Sequence, residues 1–344
     1  MTRDNKISKK ILHIIPSDAL GGVEVAAIRA QQELKKSLNY ELYIIKPRAS
    51  GRLKRLVDLC IFLQSIFREP NPVIITSLWP SHVLGLFISI IKANVCWVPF
   101  YHSSVHFGVL DSIFSRLSIR FCREALVDSG ITKEFVQSFS PQLNIQVVPY
   151  IFAVLKSGQH KKSSASRPID FIWVGRDDKN KNLVGFVEFC EYLKNIDVKL
   201  RIAIISSNDI HPSLLTRISL TGMIVVYSDL SWEETQYYLS ESKLLMCTSF
   251  KEGFSMVAYE GLCNGCLPCG SLVGEVHQII NRNTPGIDNF SDAAFQRFYL
   301  EAIPFLCNVT KRVETLQHCT ELLDEQYPKD YVQSFVEHIK AIVL

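Results

Sequence analysis

A chain of 344 residues is too long for one ordinary core and suits two domains of the usual ~100–200 residues. With 47% apolar and 21% charged residues, the composition is that of a soluble globular protein, and no shift in it marks a disordered region. The net charge of +3 hides an asymmetry: residues 1–150 hold 18 Lys and Arg against 11 Asp and Glu, the remainder 19 against 23. The first half therefore favours anionic partners. Its cations are spread without interleaved aromatics, which argues against a nucleic-acid surface.

The first apolar run, at 11–15, follows a short polar leader with Lys6, Lys9 and Lys10 and is closed by Pro16. It is too short for the apolar core of a signal peptide and reads as a first buried strand. The turn SDALGGVEVAAIRA comes next. Gly21 and Gly22 let the backbone approach a bound group, and the N–H groups of the helical turn after them can hold a phosphate; a plain strand-to-helix turn needs the same two glycines. The three spaced glycines of a dinucleotide site are absent, which counts against a nicotinamide dehydrogenase.

Further strand candidates at 41–46, 73–77, 96–101, 124–127 and 145–148 alternate with helix-length segments. That is the pattern of a parallel sheet with helices on both faces. Between the first two of these lies an amphipathic stretch, with Leu53, Leu56, Val57, Cys60, Leu63 and Phe67 on one side and Arg52, Lys54 and Arg55 at its start. It suits a helix packed on the sheet, or one in peripheral contact with anionic lipid. The apolar run at 83–91 falls well short of the ~20 residues of a spanning helix.

A polar linker at 157–168 separates this half from a second alternation, with strand candidates at 169–174, 200–206, 224–227, 244–248 and 267–271. The first of these runs into GRDDKNKN, so Arg176 and Lys181 follow the carboxyl end of a strand, where open α/β sheets bind ligands. Two cations there suit a diphosphate; a solvated charged loop is the competing account. After the strand at 244–248 comes EGFSMVAYE, with Glu252 and Glu260 eight residues apart. A helix covering both would bring them within ~80° of each other on one side, one able to meet sugar hydroxyls and the other a ribose. Dipole stabilisation at a helix start explains a single glutamate equally well.

Ten cysteines are many for this length, but Cys60, Cys96, Cys122, Cys190 and Cys247 sit in apolar runs and read as reduced, buried thiols of a cytoplasmic protein. Cys263, Cys266 and Cys269 have metal-site spacing, but no fourth ligand follows. The tail carries Val332, Phe335, Ile339 and Ile342 on one helical face. The expected organisation is a Rossmann-like domain at 1–160, a second at 166–327, and a C-terminal helix at 328–344 able to pack back on the first.

Four segments in order, GGVE, GR…KN, EGF…E and the Gly265–Leu267–Pro268 element, resemble glycosyltransferase family 4. The resemblance covers residues 11 to 285 and implies the GT-B fold: α/β, with two facing Rossmann-like doubly wound domains, an interdomain cleft and a C-terminal helix. It implies a nucleotide-sugar donor whose diphosphate lies against Gly21 and Gly22 and is neutralised by Arg176 and Lys181. Glu252 would bind the donor sugar, Glu260 the ribose, and the backbone at Gly253, Phe254 and Ser255 sugar hydroxyls and phosphate. His102, which ends a strand in VPFYHSSVH, stands where a family histidine faces the transferred sugar. The chain departs from the pattern at Tyr150 and Ile151, in place of Asn-Gly, and at Gln278, in place of an acid.

No Asp-x-Asp occurs in the sequence, so no metal or other cofactor is expected on the diphosphate. The implied reaction is retaining transfer from a UDP- or GDP-sugar to a glycan or lipid-linked saccharide hydroxyl in surface polysaccharide assembly, at the cytoplasmic face of the inner membrane. A sugar-binding protein of the same fold without turnover, and a nucleotide-sugar epimerase, are the alternatives.

Overall fold

The computed structural model describes residues 9–18, 21–47, 51–106, 108–149, 167–271, 273–280, 283–327 and 331–343. Most of the expected linker, and Tyr150 and Ile151, lie outside them. The chain divides into two units, 1–152 with 330–344, and 153–329.

The first unit runs β1 (Ile11–Ser17), α1 (Gly22–Leu34), β2 (Tyr40–Lys46), α2 (Arg52–Arg68), β3 (Val73–Ser77), α3 (Trp79–Ile91), β4 (Cys96–Tyr101), α4 (Val109–Phe121), β5 (Glu124–Val127), α5 (Gly130–Gln137) and β6 (Asn144–Val147). Its strands form one parallel sheet in the order β2-β1-β3-β4-β5-β6. Strands covered on both faces need apolar side chains throughout, and β3 is buried along its whole length.

The second unit runs β7 (Ile169–Gly175), α6 (Leu183–Asn195), β8 (Ile202–Ser206), α7 (Pro212–Thr221), β9 (Ile224–Ser228), α8 (Trp232–Ser240), β10 (Ser242–Cys247), α9 (Met256–Cys263), β11 (Leu267–Ser271), α10 (Glu275–Ile280), β12 (Gly286–Ile287), α11 (Asp292–Cys307) and α12 (Val309–Gln326). Its sheet is also parallel, ordered β12-β11-β10-β7-β8-β9. Both sheets are doubly wound, so the α/β class with two Rossmann-like units is the observed fold. The strand order reverses between β1 and β3 in one and between β7 and β10 in the other, and such switch points leave a crevice outside the carboxyl ends of the strands.

The last helix, α13 (Tyr331–Val343), belongs to the first unit and packs on α1. Phe335 and Ile339 are buried there, with the Phe335 ring edge-on to Tyr40 at 6.2 Å.

Two expectations need correction. Helix α2 packs through Phe62 and Ile66, flanked by Leu59 and Leu63, which repeat at the three- and four-residue spacing of one helical face. Leu53, Leu56, Val57 and Phe67, expected on the packed side, are exposed. Cys60 is exposed on the same helix, because an apolar neighbourhood in sequence does not say which way a helical position points. No helix among the described residues is long and apolar enough to cross a membrane.

Candidate functional site

In the second unit the switch point is lined by the loops after β7 and β10, where the sequence places its charged candidates. Asp178 organises the first loop: its Oδ1 accepts from the backbone N–H groups of Asn180 at 3.0 Å and Lys181 at 2.8 Å. Arg176 extends beside it, Nη2 at 3.4 Å from Asp178 Oδ2, with about half of its side chain exposed. Asn182 then caps α6 from the left-handed region (φ 51°), its side chain accepting from Gly185 N.

The loops are stitched together. Trp173 Nε1 donates to Thr248 Oγ1 at 3.0 Å, and Thr248 donates to the Lys181 carbonyl at 2.8 Å. Asn180 Nδ2 donates to the Lys251 carbonyl, and Phe250 N to the Asn180 carbonyl, each at 2.9 Å. The result is an ion pair between residues 71 apart in sequence: Lys181 Nζ lies 2.6 Å from Glu252 Oε1, in a half-buried position. Burial pulls the Lys181 ammonium down, but the charge and hydrogen bond of Glu252, with Cys247 and Asp178 adding, outweigh it and leave Lys181 above its ordinary value.

Glu252 does not lie on a helix. Helix α9 begins only at Met256, after Ser255 adopts a left-handed conformation with φ 68°. The helical-face argument for Glu252 and Glu260 therefore fails, and the two carboxylates have separate partners. Glu260, on α9, accepts from the indole Nε1 of Trp232 at 2.9 Å, whereas Glu252 is held by Lys181. The loop between them rests on the turn before α10, with Glu275 N donating to the Gly253 carbonyl at 2.8 Å and Val276 N to the Phe254 carbonyl at 3.3 Å. Gly274 makes that contact feasible: its φ is +86°, and a Cβ there would stand 2.7 Å from Glu252 Cβ. The Phe254 ring is buried beside Tyr327, centroids 5.2 Å apart, so Phe254 offers its backbone and not its side chain.

Two residues at this site carry no signal in the sequence. Trp232 is one. The other is His277, fully buried, with no hydrogen-bond partner for either ring nitrogen among the described residues. Burial drives its imidazole down to about 4, against the pull of Glu252. Nothing in the spacing of GEVHQII brings it within the electrostatic influence of Glu252; only the fold does.

The first unit gathers its candidates at the carboxyl edge of its own sheet. Gly21 caps α1 without a side-chain hydrogen bond, and a Cβ on it would meet the carboxylate of Glu24. Glu24 is buried in the first turn, and its Oε1 accepts from Ser17 at 3.4 Å. The helix N-terminus expected to take a phosphate thus already faces a carboxylate of its own chain. His102 follows β4, its Nε2 2.9 Å from Ser77 Oγ and its ring over Phe100 at 4.2 Å. Burial, with His13 and His82 nearby, holds it well below the ordinary histidine value. It lines a 250 Å³ pocket with Trp79, Phe100, Tyr101, His106 and Phe135.

Among the described residues no group of three or more His, Cys, Asp and Glu side chains is arranged to hold a metal ion. Cys266 and Cys269 are buried around β11, and Cys269 Sγ contacts the Leu245 carbonyl at 3.4 Å.

A charged pair at a switch point, fed by a Gly-Arg turn and an EGFS loop, is the arrangement to set against known proteins. Residues 157–288 match the family model of the glycosyl transferases group 1. The matched segment contains Arg176, Lys181, Glu252 and Glu260. No curated protein matches the chain in sequence. Among solved structures, HepE of Anabaena, in complex with UDP and glucose, superposes at a TM-score of 0.73 with 13% identity, over 97% of this chain and 100% of that one. Sucrose-phosphate synthase of Thermosynechococcus elongatus gives 0.68 and 15%, over 97% and 100%. The pneumococcal O-GlcNAc transferase GtfA, in complex with UDP and GlcNAc, gives 0.65 and 15%, over 83% of this chain and 60% of that one. At these identities the likeness is one of fold, and the fold is the GT-B architecture.

Proposed function

We propose that this protein is a metal-independent, retaining glycosyltransferase that moves a sugar from a UDP- or GDP-sugar to a hydroxyl of a glycan or lipid-linked oligosaccharide in surface polysaccharide assembly. The observation that carries the reading is the Lys181–Glu252 pair at the switch point of a unit matched over residues 157–288 by the group 1 family model, with Arg176 on the same loop as Lys181. The UDP and sugar complexes of two of the solved structures support the donor class.

The Lys181 ammonium and the Arg176 guanidinium take up the charge that develops on the departing diphosphate, the term expected to dominate when no metal shares the task. The acceptor oxygen bonds to the anomeric carbon as the bond to the diphosphate breaks, and the leaving phosphate takes the acceptor's proton. Glu252 turns from Lys181 to the sugar hydroxyls, the backbone of Gly253, Phe254 and Ser255 meets sugar and phosphate, and Glu260 meets the ribose. In the first unit His102 offers a ring nitrogen to a sugar hydroxyl, and Gly21 and Gly22 offer backbone N–H groups to a phosphate. Helix α2 supplies a peripheral membrane contact through exposed Leu53, Leu56 and Val57, with Lys54 at the same end of the helix, at the cytoplasmic face of the inner membrane.

The test is turnover of UDP- and GDP-sugars by purified protein, with NMR of the product. Arg176→Ala and Lys181→Ala are each expected to cost ~10²-fold in kcat, the scale of losing one group that stabilises transition-state charge, and EDTA is expected to leave the rate unchanged. Intact turnover in both variants, or loss of activity with EDTA, overturns the reading. An isomerised free sugar with released UDP would make the protein an epimerase instead.

A further inference from the structure

A continuous chain of hydrogen bonds runs through the core of the first unit and ends on His102. Tyr40 Oη lies 2.5 Å from His13 Nδ1, His13 Nε2 lies 2.8 Å from Ser77 Oγ, and Ser77 Oγ lies 2.9 Å from His102 Nε2. The four residues come from the adjacent strands β2, β1 and β3 and the position after β4: Tyr40 opens β2, His13 lies within β1, Ser77 ends β3 and His102 follows β4. Tyr40, His13 and Ser77 are buried.

Counting hydrogens gives this chain one direction. A buried donor left without an acceptor forfeits the desolvation of the group, so each hydrogen in the chain goes to the acceptor in reach. Burial raises the Tyr40 phenol and pulls His13 down to about 3, so both are neutral at pH 7. Among the described residues, the one side chain within hydrogen-bond reach of the Tyr40 hydroxyl is His13, at Nδ1, and the phenol hydrogen goes there. His13 then carries its own hydrogen on Nε2 and donates it to Ser77. With its oxygen accepting from His13, Ser77 has a single hydrogen left, and His102 Nε2 receives it. The reverse direction would strand the hydrogen of the phenol.

We propose that Tyr40, His13 and Ser77 are positioning residues that hold His102 in its Nδ1–H tautomer. The Nε2 lone pair is then spent on Ser77. Whatever group Nδ1 meets, in the protein or in a ligand, is met by an N–H donor, and His102 does not act as a base through Nε2. For a substrate in the adjoining pocket this selects an oxygen acceptor, a sugar hydroxyl or a phosphate oxygen. That consequence rests on the transferase reading, whereas the tautomer stands or falls without it.

Which ring nitrogen carries the hydrogen is visible in long-range ¹H–¹⁵N correlation of the full chain with ¹⁵N-labelled histidine, with His102→Asn identifying the signal. The expected wild-type pattern at pH 7 is Nδ1–H for His102 and Nε2–H for His13. His82 is an internal control. Trp97 Nε1 donates to Thr76 Oγ1 at 3.0 Å, so Thr76 passes its hydrogen to His82 Nδ1 at 2.9 Å and His82 should be Nε2–H. Tyr40→Phe should turn both His13 and His102 into tautomer mixtures and leave His82 unchanged. Ser77→Ala should release His102 alone, with His13 still directed by Tyr40. An Nε2–H or doubly protonated His102 in the wild type overturns the proposal, as does a single unchanged His102 tautomer in either folded variant. The wild-type spectrum decides even if a variant fails to fold, and none of these readouts requires turnover.

Discussion

The two units share a parallel, doubly wound sheet, yet the polar groups singled out in each differ in chemistry. At the ends of β7 and β10 the residues are ionised and paired, with Lys181 on Glu252 and Arg176 on Asp178. Across β1, the end of β3 and the position after β4, the first unit buries a neutral string of imidazoles and hydroxyls that burial keeps uncharged. Charge held ready by a counter-ion can be turned toward a diphosphate. Neutral donors and acceptors, costing less to bury, suit hydroxyls.

Acid should separate the units most. His13 and His82 sit at about 3 in the fold, and His102 well below its ordinary value, each because of burial. Between ~6.5 and those values the unfolded chain holds a proton that the folded chain lacks, so their contribution to stability falls as pH drops. The second unit has one such histidine among its described residues, His277 at about 4. From pH 7 to 5 the first unit should lose several kcal/mol, on the order of three coupled histidines, and the second distinctly less. Unit-resolved hydrogen exchange in urea at the two pH values measures the difference; equal losses would break the contrast.

Backbone geometry comes next. Gly274→Ala forces a Cβ into a φ of +86° and against Glu252 Cβ at 2.7 Å, and should cost about 2–4 kcal/mol in denaturant unfolding. It should also weaken donor binding by displacing Glu252, visible as a raised KM.

The smallest expected effect sharpens the comparison from the charged side. Lys181→Met leaves the Glu252 carboxylate half-buried without its cation, at a cost of about 1–3 kcal/mol. Lys181→Met with Glu252→Gln should recover part of that stability. The double mutant separates the cost of a stranded charge from that of a lost contact, and no recovery would mean that the pair is not coupled.

Much of the scaffold is legible in the order of apolar runs. The strands at 73–77, 96–101, 124–127 and 267–271 coincide with β3, β4, β5 and β11, because buried parallel strands need unbroken apolar segments between polar turns. The two-residue β12 (Gly286–Ile287) is too short to carry a pattern. The site was legible as residue types only. Glu252 was placed on a helix because its spacing to Glu260 fits one, but the left-handed Ser255 starts α9 four residues later than that spacing implies. Neither Trp232 on Glu260 nor the buried His277 could be anticipated, since each owes its position to packing between separate elements.

What the sequence determined by itself is local: period, turn glycines, the βα alternation, and which segments end in cations or carboxylates. Propensity and hydrophobic patterning act over a few residues and need no partner. The tertiary structure decided every pairing. Lys181 meets Glu252, and Tyr40 reaches His102 through His13 and Ser77, only because strand order brings remote strands side by side. Hydrogen-bond direction and counter-ion choice depend on distances of about 3 Å, a scale on which sequence separation carries no information.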